Sequence, residues 1–86
     1  MFELSRFLGM IITIYYKELG VPHFHARYGE YRSVFSIGEI ERIEGNLPRR
    51  AEALVLEWAG EHRQDLQENW EFAQAHLPLR PIPALD

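Results

Sequence analysis

An antiparallel sheet of three or four strands packed by one long C-terminal helix, an α+β arrangement, follows from three features of the chain. Residues 9–43 are dense in β-branched and aromatic side chains and are interrupted by glycines at turn positions. Within them, His23 to Tyr28 alternates between apolar and polar side chains at the period of a strand. Beyond residue 48 the period changes: Ala51, Leu54, Val55, Trp58, Leu66, Trp70, Ala73 and Leu77 recur at helical steps and make one apolar stripe.

Taken in order, Gly9 to Lys17 reads as the first strand after a short lead. Both of its faces are apolar, as in a central strand covered on two sides or one that offers a face to another protein. Gly20 and Pro22 mark the turn that follows, the glycine by tolerating positive φ and the proline by forcing Val21 into an extended conformation. The second strand, His23 to Tyr28, is expected to send Phe24, Ala26 and Tyr28 to the core and His23, His25 and Arg27 to the opposite face. Gly29-Glu30 has the spacing of a tight hairpin, and a third strand, Tyr31 to Ile37, is expected to place Tyr31, Ser33, Phe35 and Ile37 on one side. Glu39 to Ile43 reads as a short, charged edge strand.

Glu44-Gly45-Asn46-Leu47-Pro48 then breaks the sheet and starts the helix, with Asn46 or Leu47 at the N-cap and Pro48 in the first turn. The helix is expected over about residues 48–76; Gly60 offers a place to break it in two near Gly60-Glu61, but continuity is favoured because the apolar stripe keeps phase there. Pro78 ends it. Residues 77–86 form a proline-rich tail whose Leu79, Ile82 and Leu85 either settle in a groove of their own domain, the favoured outcome, or meet a partner.

The 86 residues suffice for a single domain around one modest core. With no cysteine, no disulfide supplements so small a core, so a homo-oligomer or a hetero-partner is expected, and any metal would be held by His, Asp or Glu. The apolar run Phe7 to Ile12 is too short to cross a bilayer and lacks the basic flank and cleavage site of a signal peptide. A cytoplasmic protein with no membrane partner is therefore expected. The net charge of −4 is uneven, +1 over residues 1–36 and −5 over residues 37–86, which argues against general DNA binding and leaves RNA as a substrate of the first half. No glycine-rich phosphate loop, nucleophile elbow or helix-turn-helix signature occurs, so nucleotide hydrolysis and serine-type acyl transfer have no support.

The polar chemistry is concentrated between Pro22 and Tyr31. On a strand the Cα atoms of His23 and His25 stand about 6.5–7 Å apart, so both rings can reach one small object. The pair suits a divalent metal such as zinc, with Glu30, Glu39 or His62 to complete the ligand set. It equally suits acid–base cleavage of RNA, with Arg27 holding a phosphate, Tyr28 or Tyr31 stacking or donating, and Arg49 and Arg50 as further phosphate contacts. The plainest outcome is a hydrated surface or the polar part of a protein interface. His62, in phase with Trp58 and Leu66, reads as a core histidine, and Trp58 and Trp70 as core anchors. Glu57, Glu61, Asp65, Glu68 and Glu71 read as a solvated face, and His76 as a cation at the helix end.

The run Pro22-His23-Phe24-His25-Ala26-Arg27-Tyr28-Gly29-Glu30-Tyr31, with Gly45-Asn46-Leu47-Pro48-Arg49-Arg50, Glu57-Trp58-Ala59, His62-Arg63-Gln64-Asp65-Leu66 and Glu68-Asn69-Trp70, resembles the small bacterial family known as domain of unknown function 4160. Members look like components of toxin–antitoxin-type gene pairs, often beside a small protein of domain-of-unknown-function family 2442. The resemblance thus implies a small cognate protein from a neighbouring gene as partner, and it supplies no catalytic residues to carry over. The expected function is a protein-interaction component of such a two-gene module, assembled through the strand Met10 to Tyr16 and the tail. The alternative is a small RNA-cleaving or metal-dependent hydrolytic toxin centred on His23, His25 and Arg27.

Overall fold

The computed structural model describes residues 2–85. It is α+β, with five antiparallel strands in sequence order: β1 (Phe2–Phe7), β2 (Met10–Ile14), β3 (His23–Tyr28), β4 (Tyr31–Ser36) and β5 (Arg42–Asn46). Two helices follow, α1 (Arg49–Glu61) and α2 (Arg63–Gln74). One face of the sheet carries the core. Met10, Ile12 and Ile14 of β2, Phe24 and Ala26 of β3, and Phe35 of β4 are buried together with Val55, Trp58, Leu66 and Trp70 of the helices.

The alternation of β3 determines which side of the sheet meets the helices. Phe24 pairs with Phe35 across the strands, the two rings stacking at 5.4 Å, and Trp58 lies edge-on to Phe24. Ser33, Phe35 and Ile37 are buried as their spacing requires. Tyr28 and Tyr31 depart from the expected burial: Tyr28 is 37% exposed and Tyr31 more so, because they flank the Gly29-Glu30 hairpin at the rim of the sheet.

Three expectations about the elements are corrected. The sheet has five strands rather than three or four and spans 2–46 rather than 9–43. β1 lies in what reads as a lead because its register slips between Glu3 and Ser5, so Leu4 and Ser5 are both buried and the period-two signal is lost. The edge strand is Arg42–Asn46, not Glu39 to Ile43, and it runs through the Glu44-Gly45-Asn46 stretch read as a break. The N-cap is accordingly Pro48 rather than Asn46 or Leu47, and it has no side-chain cap.

The long helix is two helices. His62, at φ −122 and ψ 25, leaves the helical region, and its N–H is shared between the carbonyls of Trp58 and Ala59. A straight rod over residues 48–76 would be about 43 Å long at the helical rise. The molecule's longest dimension is 33 Å, so the bend keeps both halves on the sheet. The apolar stripe runs through the bend, with Trp58 before it and Leu66 after it fully buried, which is why phase alone does not reveal it.

The tail docks on its own domain. Leu79 and Ile82 are buried, the Ile82 N–H donates to the Leu4 carbonyl at the β1 bulge, and the Trp58 Nε1–H donates to the Pro83 carbonyl. Buried Asn69 ties this segment down: its Oδ1 accepts from the Arg80 N–H at 2.7 Å and its Nδ2–H donates to the Asp65 carbonyl. Asn69→Ala removes both bonds and strands a backbone donor. It should cost about 1–2 kcal/mol, read as a lower urea midpoint with unchanged slope. Among the described residues no helix is long and apolar enough to cross a membrane.

Candidate functional site

The loop between β2 and β3 turns back across the end of the sheet and brings Glu18 onto the two strand imidazoles. Its carboxylate accepts from His25 Nε2 at 2.9 and 3.0 Å, and the same Oε1 lies 3.2 Å from His23 Nε2. The two rings sit edge to face, 5.3 Å between centroids. His23 is buried at 9% exposure, backed by the Trp70 ring, and its Nδ1–H donates to the Val21 carbonyl at 2.8 Å. His25 is half-buried beside the edge of Tyr15. Burial pushes the Glu18 carboxyl up, but hydrogen bonds from His25 and His23, and the charge of those rings, outweigh it and hold the group below the ordinary glutamate value.

The tautomer of His23 follows from these contacts. A carbonyl can only accept, so Nδ1 carries a proton, and Nε2 is the ring atom that faces the Glu18 carboxylate, 3.2 Å away.

The loop is held by further ties. The Glu18 carbonyl accepts from Gln74 Nε2 at 2.9 Å, the Tyr16 hydroxyl donates to the Leu77 carbonyl, and the Tyr16 ring stacks on His76. Lys17 takes a positive φ of 55, a conformation that costs a non-glycine residue about 1–2 kcal/mol. Such a residue persists where its surroundings fix it. Held this way, the loop nonetheless leaves Leu19 90% exposed, Val21 59% and Tyr16 39%.

Beside the cluster the outer face of the sheet forms an open hollow of about 520 Å³, lined by Ile11 and Thr13 of β2, His25 and Arg27 of β3, Arg32 of β4 and Glu44 of β5. The candidate residues therefore separate. His23 and His25 converge as their spacing requires; Arg27 lies in the hollow and takes no part in the cluster. Tyr28 and Arg50 both line a separate open depression with Leu54, while Tyr31 and Arg49 are exposed elsewhere. The third group is Glu18, in place of Glu30, Glu39 or His62. His62 is hydrogen-bonded, Nδ1 to Asp65 at 3.4 Å, but it is half-buried against Trp58 rather than enclosed in the core. Spacing alone could not find Glu18, because a turn of unknown path separates it from His23.

The model of the family described as Domain of unknown function (DUF4160) matches residues 9–71. The match takes in β2, the anchored loop with Glu18, His23 and His25, the rest of the sheet and most of α2; β1 and the docked tail lie outside it. No curated protein and no solved structure matches the chain. On a match over most of its length, the chain belongs to the DUF4160 family.

Proposed function

We propose that the chain is a protein-interaction component of a cytoplasmic two-gene module of the toxin–antitoxin type, and that it binds the small protein of the neighbouring gene through the β2–β3 loop. One observation carries this reading: the loop is fixed by side-chain ties at Tyr16, Glu18 and Val21 while Leu19 and Val21 project into solvent and the pinned Tyr16 keeps one face exposed. Single exposed apolar residues are ordinary on protein surfaces. Three within six residues of a loop held at a strained φ are not. An ordered loop has little conformational entropy to lose on docking, which makes it an efficient recognition element. The tail has no part in this version of the assembly, because Leu79 and Ile82 are already buried within the chain.

Leu19→Asp should leave the far-ultraviolet spectrum unchanged, since the side chain contacts little, and should weaken co-purification with the neighbouring gene's product at least about 30-fold, as for an interface anchor. Undiminished capture by the variant, or no complex from the parent chain, would refute the reading.

A second reading, a hydrolytic toxin acting on RNA, is favoured by the hollow that sets Arg27 and Arg32 beside His25. It requires growth arrest when the chain is expressed alone, and loss of that arrest in His25→Ala.

A further inference from the structure

We propose that Glu18, His23 and His25 form a binding site for one divalent transition-metal ion of the zinc class. The three ligand atoms, a Glu18 oxygen and one nitrogen from each ring, all lie within 4.8 Å of one another. A tetrahedral ion with ligands at about 2.0–2.1 Å sets its ligand atoms about 3.3 Å apart; the Glu18 oxygen stands 2.9 and 3.2 Å from the two ring nitrogens, and the nitrogens, within 4.8 Å of each other, would settle to that spacing around the ion.

The orientation of His23 fits the same site. Its Nδ1–H bond to the Val21 carbonyl turns Nε2 toward the Glu18 carboxylate, 3.2 Å away. A histidine whose far N–H is tied to a backbone carbonyl is also the usual arrangement behind a metal, because the outer bond fixes both tautomer and ring orientation. The Trp70 and Tyr15 rings restrain the two imidazoles.

The donor set selects the ion. Two imidazoles and one carboxylate suit zinc, cobalt or nickel, whereas magnesium and calcium call for oxygen ligands throughout. Three protein ligands leave a fourth position for water or for a donor brought by another molecule. Because Glu18 belongs to the loop proposed to meet the partner, the ion would fix the shape of that loop. This consequence rests on the proposed function; the site itself is measured without any partner.

The test uses the full chain, untagged and stripped of metal by a chelator. Calorimetric titration with zinc chloride should show one ion per chain, magnesium chloride should give no binding, and cobalt chloride should develop the visible absorption of a tetrahedral site. Zinc at a hundred times its dissociation constant should raise the folded-to-unfolded ratio about 100-fold. Glu18→Gln and His25→Ala should each weaken binding at least about tenfold, while His62→Ala leaves it unchanged. Glu18→Gln keeps the shape of a partly exposed side chain, so its result stands even if His25→Ala fails to fold. No stoichiometric zinc binding, or binding that survives both cluster substitutions, overturns the site. Zinc binding without partner capture overturns the loop-recognition reading alone, and partner capture without zinc binding overturns the site alone.

Discussion

Trp58→Ala is expected to lower stability by about 3–5 kcal/mol, the range for removing a buried aromatic. The ring is fully buried, 5.4 Å from Phe7 of β1 and 6.1 Å from Phe24 of β3, so it joins the outermost strand, the central strand and the helix that carries it. Its Nε1–H also holds the Pro83 carbonyl, and losing that bond loosens the tail that caps the same part of the core. A domain of this size has only about 5–15 kcal/mol of stability in total, so the variant should sit near the edge of folding at room temperature. Urea unfolding followed by circular dichroism checks this, with the fluorescence of Trp70 reporting α2 separately. Trp58→Phe separates the two contributions: it keeps most of the packing and loses the bond to Pro83. A midpoint for Trp58→Ala close to that of the parent chain would mean that the helices are held chiefly by other contacts.

Much of the core was legible because it rests on side-chain period. The inward set Phe24, Ala26, Ser33, Phe35 and Ile37 follows from alternation, and Ala51, Val55, Trp58, Leu66, Trp70 and Ala73 from the helical stripe. What escaped were features that period does not encode. β1 hides behind a bulge that turns Leu4 and Ser5 to the same side. The bend at His62 preserves the phase of the stripe, so only the size of the finished molecule requires it. Of the site, the convergence of His23 and His25 was legible from their two-residue spacing, but Glu18 was not. Its position depends on the path of a loop set by the Gln74 and Tyr16 ties to α2 and to the chain beyond it, about sixty residues away in sequence.

Gly45→Val should detach the fifth strand. Gly45 sits in β5 opposite Ser33 at a φ of 76, where a residue with a side chain is strained by about 1–2 kcal/mol. Space is the larger obstacle: a Cβ at this position would run into the Arg32 carbonyl oxygen and would stand 3.0 Å from the Ser33 Cα. Both are backbone atoms of β4 and cannot rotate away, so the strands must part, adding about 1–3 kcal/mol of overpacking strain. The neighbouring hydrogen bond from the Ser33 hydroxyl to the Glu44 carbonyl would go with the pairing. β5 is an exposed edge strand and contributes little to the core, so the expected state is a folded chain with a frayed edge. Amide exchange should show protection lost in residues 42–46 while β2 and β3 keep theirs. Because Glu44 and Gly45 line the outer hollow, any ligand that needs the hollow should bind less well, whereas zinc at Glu18, on the β2–β3 loop, and at His23 and His25, on a strand that stays paired with its neighbours, should bind as before. Gly45→Val thereby separates the two parts of the outer face, and equal loss of both would show that the sheet behaves as one cooperative unit.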